Sequence, residues 1–256
     1  METYRTKDIY GNFYANGNKP LVVLINGSRP GIPETINTAF LNYLKDRYNV
    51  LLLAYFGVGQ LPKTLERVPI EYFINSIEYF KKKIGISNEK IIIIGNSKGA
   101  EAALLLAKYY NSAITIGCVP SCYVFQGLSD IPSGISEMIS NPKSSWTYKG
   151  LEVPYIRFSM DNESLKDAAD NFFCTCYEKS IKKYFNKDAI IDVKNYTGKI
   201  LLLSSKHDPY WPSKEMSQFL SCHNKNIQHI CLDLKGHYYL QYDESTNIII
   251  DYLNNN

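Results

Sequence analysis

Ser97 sits at the centre of Gly95-Asn96-Ser97-Lys98-Gly99, a G-x-S-x-G pentapeptide, directly after four isoleucines at 91–94 and directly before an apolar stretch at 100–110. A serine hydroxyl is a weak nucleophile at neutral pH. It becomes a useful one when a base takes its proton and an acid holds that base in its working tautomer. Between a strand and a helix, the pentapeptide reads as a tight turn that presents a nucleophile. The two glycines are required because a Cβ at either would meet the neighbouring strand or helix. Ser97 is therefore expected in a strained backbone conformation with its Oγ exposed. The backbone N–H of Lys98, at the start of the helix, would face negative charge developing on a carbonyl oxygen. The flanking elements matter, because a bare G-x-S-x-G arises by chance in roughly one chain in ten of this length.

With this kind of turn the order along the chain is nucleophile, acid, base, each after a strand. Asp208 follows the apolar run 200–203, within Ser205-Lys206-His207-Asp208-Pro209-Tyr210-Trp211, and His237 follows the run 227–234, within Lys235-Gly236-His237-Tyr238. Ser97, Asp208 and His237 are thus the expected catalytic set. Asp233 is the second choice of acid. His207 precedes the last strand and reads as a surface histidine. His223 and His229, with Cys222 and Cys231, match no closed zinc spacing, so no metal site is expected. Cys174-Thr175-Cys176 is not a C-x-x-C and carries no redox expectation, and Glu101, inside an apolar helix, reads as a hydrogen-bonded structural group. A second oxyanion donor is expected from the loop Asn26-Gly27-Ser28-Arg29-Pro30-Gly31. Gly27 and Ser28 both remain open for that role.

The elements that must position these residues alternate in type. Runs at 21–25, 50–54, 91–94, 113–116 and 200–203 are apolar without polar alternation, as expected of parallel strands covered on both faces, and 227–234 supplies another. Candidate helices lie between them at 34–47, 69–84, 98–110, 213–221 and 244–253. In 69–84 the apolar residues Ile70, Phe73, Ile74, Ile77 and Phe80 recur at helical spacing, with three lysines in the last turn. The expectation is an α/β fold with a mostly parallel sheet and right-handed crossovers. Asn16-Gly17 suggests a hairpin turn within residues 1–20. Residues 118–196 break the rhythm with Pro120, Pro132, Pro142 and Pro154 and one helical stretch near 167–184. They are expected to form a cap-like insertion over one end of the sheet, within a single domain spanning 1–256.

The 256 residues are 45% hydrophobic and 21% charged, which excludes a disordered or fibrous chain. Net charge is +3 with scattered basic residues, so neither nucleic acid nor an anionic membrane is an expected partner. The charged start and the strand-length apolar runs predict no secretory signal and no transmembrane helix. The six cysteines are read as free thiols, and a cytoplasmic protein is expected.

At these residues the chain resembles the C-terminal catalytic domain shared by acyl-CoA thioesterases and bile acid-CoA:amino acid N-acyltransferase, a branch of the α/β-hydrolase fold. Leu53-Ala54-Tyr55-Phe56-Gly57, Leu61-Pro62-Lys63 and Glu71-Tyr72-Phe73 are similar to the family's stretch before the nucleophile. Gly95-Asn96-Ser97-Lys98-Gly99-Ala100-Glu101 resembles its Ser-Lys-Gly-Gly-Glu turn. Tyr148-Lys149-Gly150, Asp208 with Trp211-Pro212-Ser213, and Gly236-His237 follow in order, over roughly residues 20–240. The first oxyanion loop is less Gly-rich than the family's, and 160–185 has no recognised counterpart.

The resemblance implies Ser97 as nucleophile, Asp208 as orienting acid and His237 as base, acting on a small-molecule acyl thioester or ester without metal or organic cofactor. The family's amino-acid transferase has Cys where this chain has Ser97, which implies hydrolysis over transfer. Arg29 and Trp211 are placed at the substrate. If the leaving group is coenzyme A, then Arg29, Lys98 and Lys206 are the nearest cations in sequence for its phosphates. A carboxylesterase or small peptidase on the same scaffold, and a non-catalytic binding module, are the alternatives.

Overall fold

Unbroken apolar runs become strands buried on both faces. The computed structural model describes residues 1–129 and 138–256 in full and the backbone of 135–137. Among the described residues eight strands form one sheet: β1 (Glu2–Arg5), β2 (Tyr10–Tyr14), β3 (Leu21–Ile25), β4 (Asn49–Leu53), β6 (Ile91–Asn96), β7 (Ile114–Cys118), β10 (Lys199–His207) and β11 (Ile227–Lys235), in the order β1-β2-β4-β3-β6-β7-β10-β11. From β4 to β11 every pairing is parallel, whereas β1 with β2 and β2 with β4 are antiparallel. A smaller sheet joins β5 (Val68–Pro69), β8 (Trp146–Tyr148) and β9 (Leu151–Glu152).

Period-two alternation sorts the side chains between two cores. Leu21, Val23 and Ile25 enter one cluster, and Val22 and Leu24 enter the other on the opposite face. Helix α2 (Ile70–Ile84) buries Ile70, Phe73, Ile77 and Phe80 in the first cluster, keeps its lysines in the last turn, and ends at Gly85 in the left-handed conformation (φ 78°). Helix α3 (Lys98–Tyr109) is buried over nearly its whole length, which is why its sequence is apolar on all sides. Helices α1 (Thr38–Arg47), with Phe40 and Leu44, and α8 (Asp243–Asn254), with Ile249 and Leu253, cover the other face. Helix α7 (Ser213–Ser221) follows β10.

Three local expectations are revised. Helix α1 begins at Thr38 rather than 34, because Asn37 caps it by accepting from the Phe40 N–H. The hairpin turn lies at residues 6–9, where the Thr6 N–H donates to the Ile9 carbonyl. Asn16-Gly17 instead links β2 to β3, which do not pair with each other. The helical stretch expected near 167–184 is two helices, α5 (Asn162–Ala169), capped by Asp161, and α6 (Cys174–Tyr184). With α4 (Ile135–Ser140), β8 and β9, they lie in the segment between β7 and β10, while β5, the third strand of the smaller sheet, precedes α2. Pro132 lies outside the described residues.

Register levels the carboxyl ends of the central strands. Ile25 pairs with Gly95 and Asn96 with Cys118, so the loops after β3, β6 and β7 leave the same edge. In open parallel sheets this edge is where sites are built.

Candidate active site

Ser97 caps helix α3 with φ 58° and ψ −121°, a conformation a non-glycine residue adopts only when its surroundings impose it. The glycines impose it. A Cβ on Gly95 would lie 2.0 Å from the Gly99 carbonyl oxygen, and one on Gly99 would lie 2.2 Å from that of Asn26. Ser97 donates its own N–H to the Cys118 carbonyl, while its carbonyl accepts from Ala100 and Glu101. The N–H groups of Lys98 and Gly99 fall in the first helical turn, where no intrahelical acceptor exists. Contrary to the expected exposure, Ser97 is only 7% accessible.

His237 and Asp208 reach the same point from the ends of β11 and β10. His237 Nε2 lies 2.6 Å from Ser97 Oγ, and His237 Nδ1 lies 2.7 Å from Asp208 Oδ1. All three residues are buried. Asp208 Oδ1 also accepts the Tyr210 N–H at 3.0 Å, and Asp208 Oδ2 is buried without a hydrogen-bond partner among the described residues. The histidine loop is stapled to the serine turn by Asn96, whose Nδ2 donates to the His237 carbonyl and whose Oδ1 accepts from the Tyr239 N–H, each at 3.0 Å. Asn96 escaped the sequence reading because it occupies a variable position of the pentapeptide.

Aromatic rings hold the imidazole. Tyr210 stacks on His237 with centroids 4.4 Å apart and planes 22° apart, and Trp211 meets it edge-on at 5.5 Å. Trp211 is buried and donates its indole N–H to the Val119 carbonyl at 3.0 Å. Its placement is therefore as a wall beside His237, with its polar group already committed. Helix α6 supports the same loop: Phe173 stacks on Tyr210, Tyr177 meets Trp211 edge-on, and the N–H groups of Phe173 and Cys174 donate to the Pro209 carbonyl.

The Lys98 side chain departs from expectation. Its ammonium is buried and donates to both Glu101 carboxylate oxygens at 2.8 Å, so it cannot reach out to a ligand phosphate. Glu101 Oε1 also accepts from Trp146 Nε1 at 2.6 Å and from the Phe125 N–H at 3.3 Å. Burial lowers the pKa of Lys98 and raises that of Glu101, and their mutual attraction opposes both shifts. Glu101 is thus the structural acceptor expected of it. The signal for the pairing was the three-residue spacing within an apolar helix.

The remaining candidates lie apart. His207 and Lys206 are exposed and both pair with Asp233, removing Asp233 from the His237 position. His229 contacts Ser204 Oγ, and His223 bonds the Phe219 carbonyl. No cluster of three or more His, Cys, Asp or Glu able to hold a metal occurs among the described residues. Arg29 is exposed, donates to Thr35 Oγ1 at 3.2 Å, and lines a groove of about 320 Å³ with Arg5, Tyr10 and Val58. Gly27 lies against the nucleophile, since a Cβ there would stand 3.1 Å from Ser97 Cβ, and Ser28 follows it at the exposed rim.

A parallel sheet with a strand–Ser–helix turn, and an acid and a histidine from later strand ends, defines the α/β-hydrolase fold. Solved structures agree in fold: an esterase from Thermogutta terrifontis superposes with a TM-score of 0.58 at 16% identity, over 96% of this chain and 94% of that one. The chain belongs to the family described as BAAT / acyl-CoA thioester hydrolase C terminal, whose model matches residues 68–240. It is 26% identical to acyl-coenzyme A thioesterase 1 of Rattus norvegicus over 201 residues, which are 75% of this chain and 42% of the relative. It is also 26% identical to acyl-coenzyme A amino acid N-acyltransferase 1 of Mus musculus, over 67% of this chain and 36% of the relative. The chain thus spans less than half the length of these relatives. No helix among the described residues is long and apolar enough to cross a membrane.

Proposed function

We propose that this protein is a serine hydrolase that cleaves acyl thioesters of the acyl-CoA kind, or carboxylic esters, through an acyl-Ser97 intermediate. The observation that carries the reading is the unbroken hydrogen-bond chain from Ser97 Oγ through His237 to Asp208. His237 Nε2 takes the Ser97 proton as Oγ attacks the acyl carbonyl, and Asp208 stabilises the imidazolium so formed. The Lys98 N–H and a second N–H from Gly27 or Ser28 hold the oxyanion. The tetrahedral intermediate collapses, and the leaving thiolate or alkoxide departs with the proton from His237. His237 then takes a proton from water, the hydroxide attacks the acyl-serine, and the released acid leaves Ser97 reprotonated.

The buried chemistry needs no metal in this scheme. Thioesters are favoured by the family to which the chain belongs, and hydrolysis over transfer by the oxygen nucleophile. Arg29, exposed two residues beyond Gly27 in the loop after β3, supplies a cation for a phosphate-bearing leaving group, in a groove that a second arginine, Arg5, also lines. The segment 118–196 is taken as a cap within one domain, because its Phe173 and Tyr177 rings reach the loop that carries Asp208. Free thiols at all six cysteines support a reducing compartment such as the cytoplasm.

The test is turnover of a panel of acyl-CoA thioesters and aryl esters by the wild type and by Ser97→Ala, with fluorophosphonate labelling alongside. Hydrolysis and labelling are expected for the wild type and neither for the variant. Turnover that survives Ser97→Ala would reject the assignment, and a folded wild type that neither turns over nor labels would make it a binding module.

A further inference from the structure

Tyr55, two residues beyond β4, is buried at 1% accessibility among Phe56, Phe73 and Trp146, with ring centroids 5.0, 5.3 and 5.6 Å away. Its hydroxyl is polar, and its partners are two backbone carbonyls of the loop after β3: Gly27 O at 2.5 Å and Asn26 O at 3.2 Å. Burial raises the Tyr55 pKa well above the usual phenol value, so the group stays a donor. The loop is clasped from a second side by helix α3, because Gly99 has no Cβ to strike the Asn26 carbonyl.

The peptide between Gly27 and Ser28 is trans, like every described peptide bond, so its C=O and N–H point in opposite directions. With the Gly27 carbonyl drawn to the buried Tyr55 hydroxyl, the Ser28 N–H faces away from that ring, on an exposed residue directly after Gly27, which itself lies against Ser97. It has no acceptor among the described residues. The shorter of the two Tyr55 contacts falls on this peptide and not on the one before it.

We infer that Tyr55 is a positioning residue of the oxyanion hole, and that the N–H it holds in place is that of Ser28. The inference rests on the hydrolase reading above. A donor fixed before substrate arrives stabilises developing charge without reorganising at the moment of reaction, so loosening it costs rate and not substrate binding.

Tyr55→Phe keeps the ring packing and deletes the hydroxyl. The expected result is a kcat lower by about 10- to 100-fold, a KM within about twofold of wild type, and an inhibition constant for a trifluoromethyl ketone of the same acyl group raised by the same factor as kcat falls. Tyr72→Phe is the control. Its hydroxyl donates to the Ala54 carbonyl at 2.7 Å, one residue from Tyr55 but outside the oxyanion loop, so it should lower Tm without moving kcat or the inhibition constant. Ser28→Pro removes the N–H itself and is expected to reproduce the Tyr55→Phe losses. The inference is overturned if folded Tyr55→Phe matches wild type, or loses kcat without losing affinity for the ketone. If Tyr55→Phe does not fold, wild-type kcat in Ser28→Pro overturns it. A wild type without Ser97-dependent turnover defeats the hydrolase reading first, and this inference with it; wild-type turnover with an unaffected Tyr55→Phe defeats this inference alone.

Discussion

The imidazole of His237 lies face to face with the ring of Tyr210, 4.4 Å away, while the Tyr210 backbone N–H holds the carboxylate that orients the same imidazole. One residue thus supports the histidine from its face through the side chain and from its edge through Asp208. In the proposed mechanism the imidazolium of His237 is a cation against an aromatic face, an interaction of about 0.5–2 kcal/mol. Tyr210→Ala is expected to lower kcat by about 2- to 30-fold. Tyr210→Phe keeps the ring and, among the described residues, gives up the 3.3 Å contact with the Tyr238 hydroxyl, so its kcat should stay within about twofold of wild type. Steady-state kinetics on the two variants check this, and equal losses in both would place the effect on the hydroxyl instead.

The meeting of Ser97, Asp208 and His237 was legible in the sequence because each follows a run that becomes a strand, and parallel strands end at a common edge. The supports of these residues were not. Tyr210 stacking on His237 and Tyr55 gripping Gly27 join residues 27 or 28 positions apart, and no local pattern sets a ring above an imidazole or a hydroxyl under a carbonyl. Asn16-Gly17 illustrates the same limit. A dipeptide specifies a turn, but which strands pair is decided by the whole sheet, and β2 pairs β4. Lys98 was misplaced for a different reason. Lysines are exposed by default, and the carboxylate that reverses the default lies three residues along a helix buried on all sides.

Arg29 offers a test of coenzyme A against other leaving groups. Its guanidinium is exposed, with Thr35 as its one side-chain partner among the described residues, which leaves donors for a phosphate. Arg29→Ala is expected to raise KM for an acyl-CoA by about 2- to 10-fold, the size of one solvent-exposed charge-assisted contact. For the same acyl group on N-acetylcysteamine, which carries no phosphate, KM should be unchanged. The difference should shrink as salt is added. Equal effects on both substrates would remove Arg29 from recognition of the leaving group.

The buried Lys98–Glu101 pair makes a prediction about stability and its pH dependence. Removing one partner of a buried ion pair leaves an uncompensated charge, typically at a cost of about 3–5 kcal/mol, whereas replacing both by neutral groups of similar volume is often neutral. Lys98→Met should therefore be strongly destabilising near pH 7. The double change Lys98→Met with Glu101→Gln should recover most of the loss, because glutamine still accepts from the Trp146 indole and the Phe125 N–H. Burial raises the Glu101 pKa, and in Lys98→Met the opposing attraction of the ammonium is gone. A carboxyl whose folded pKa exceeds its unfolded value contributes its full stability below the unfolded pKa, where both states are protonated, and loses it as pH rises and the unfolded chain ionises first. Denaturant unfolding of Lys98→Met should accordingly show stability falling as pH rises from about 4.5, the ordinary glutamate value, toward 7. The double variant, with no carboxyl at this position, should lack that fall. A fall of the same size in both variants would assign the pH dependence to another group.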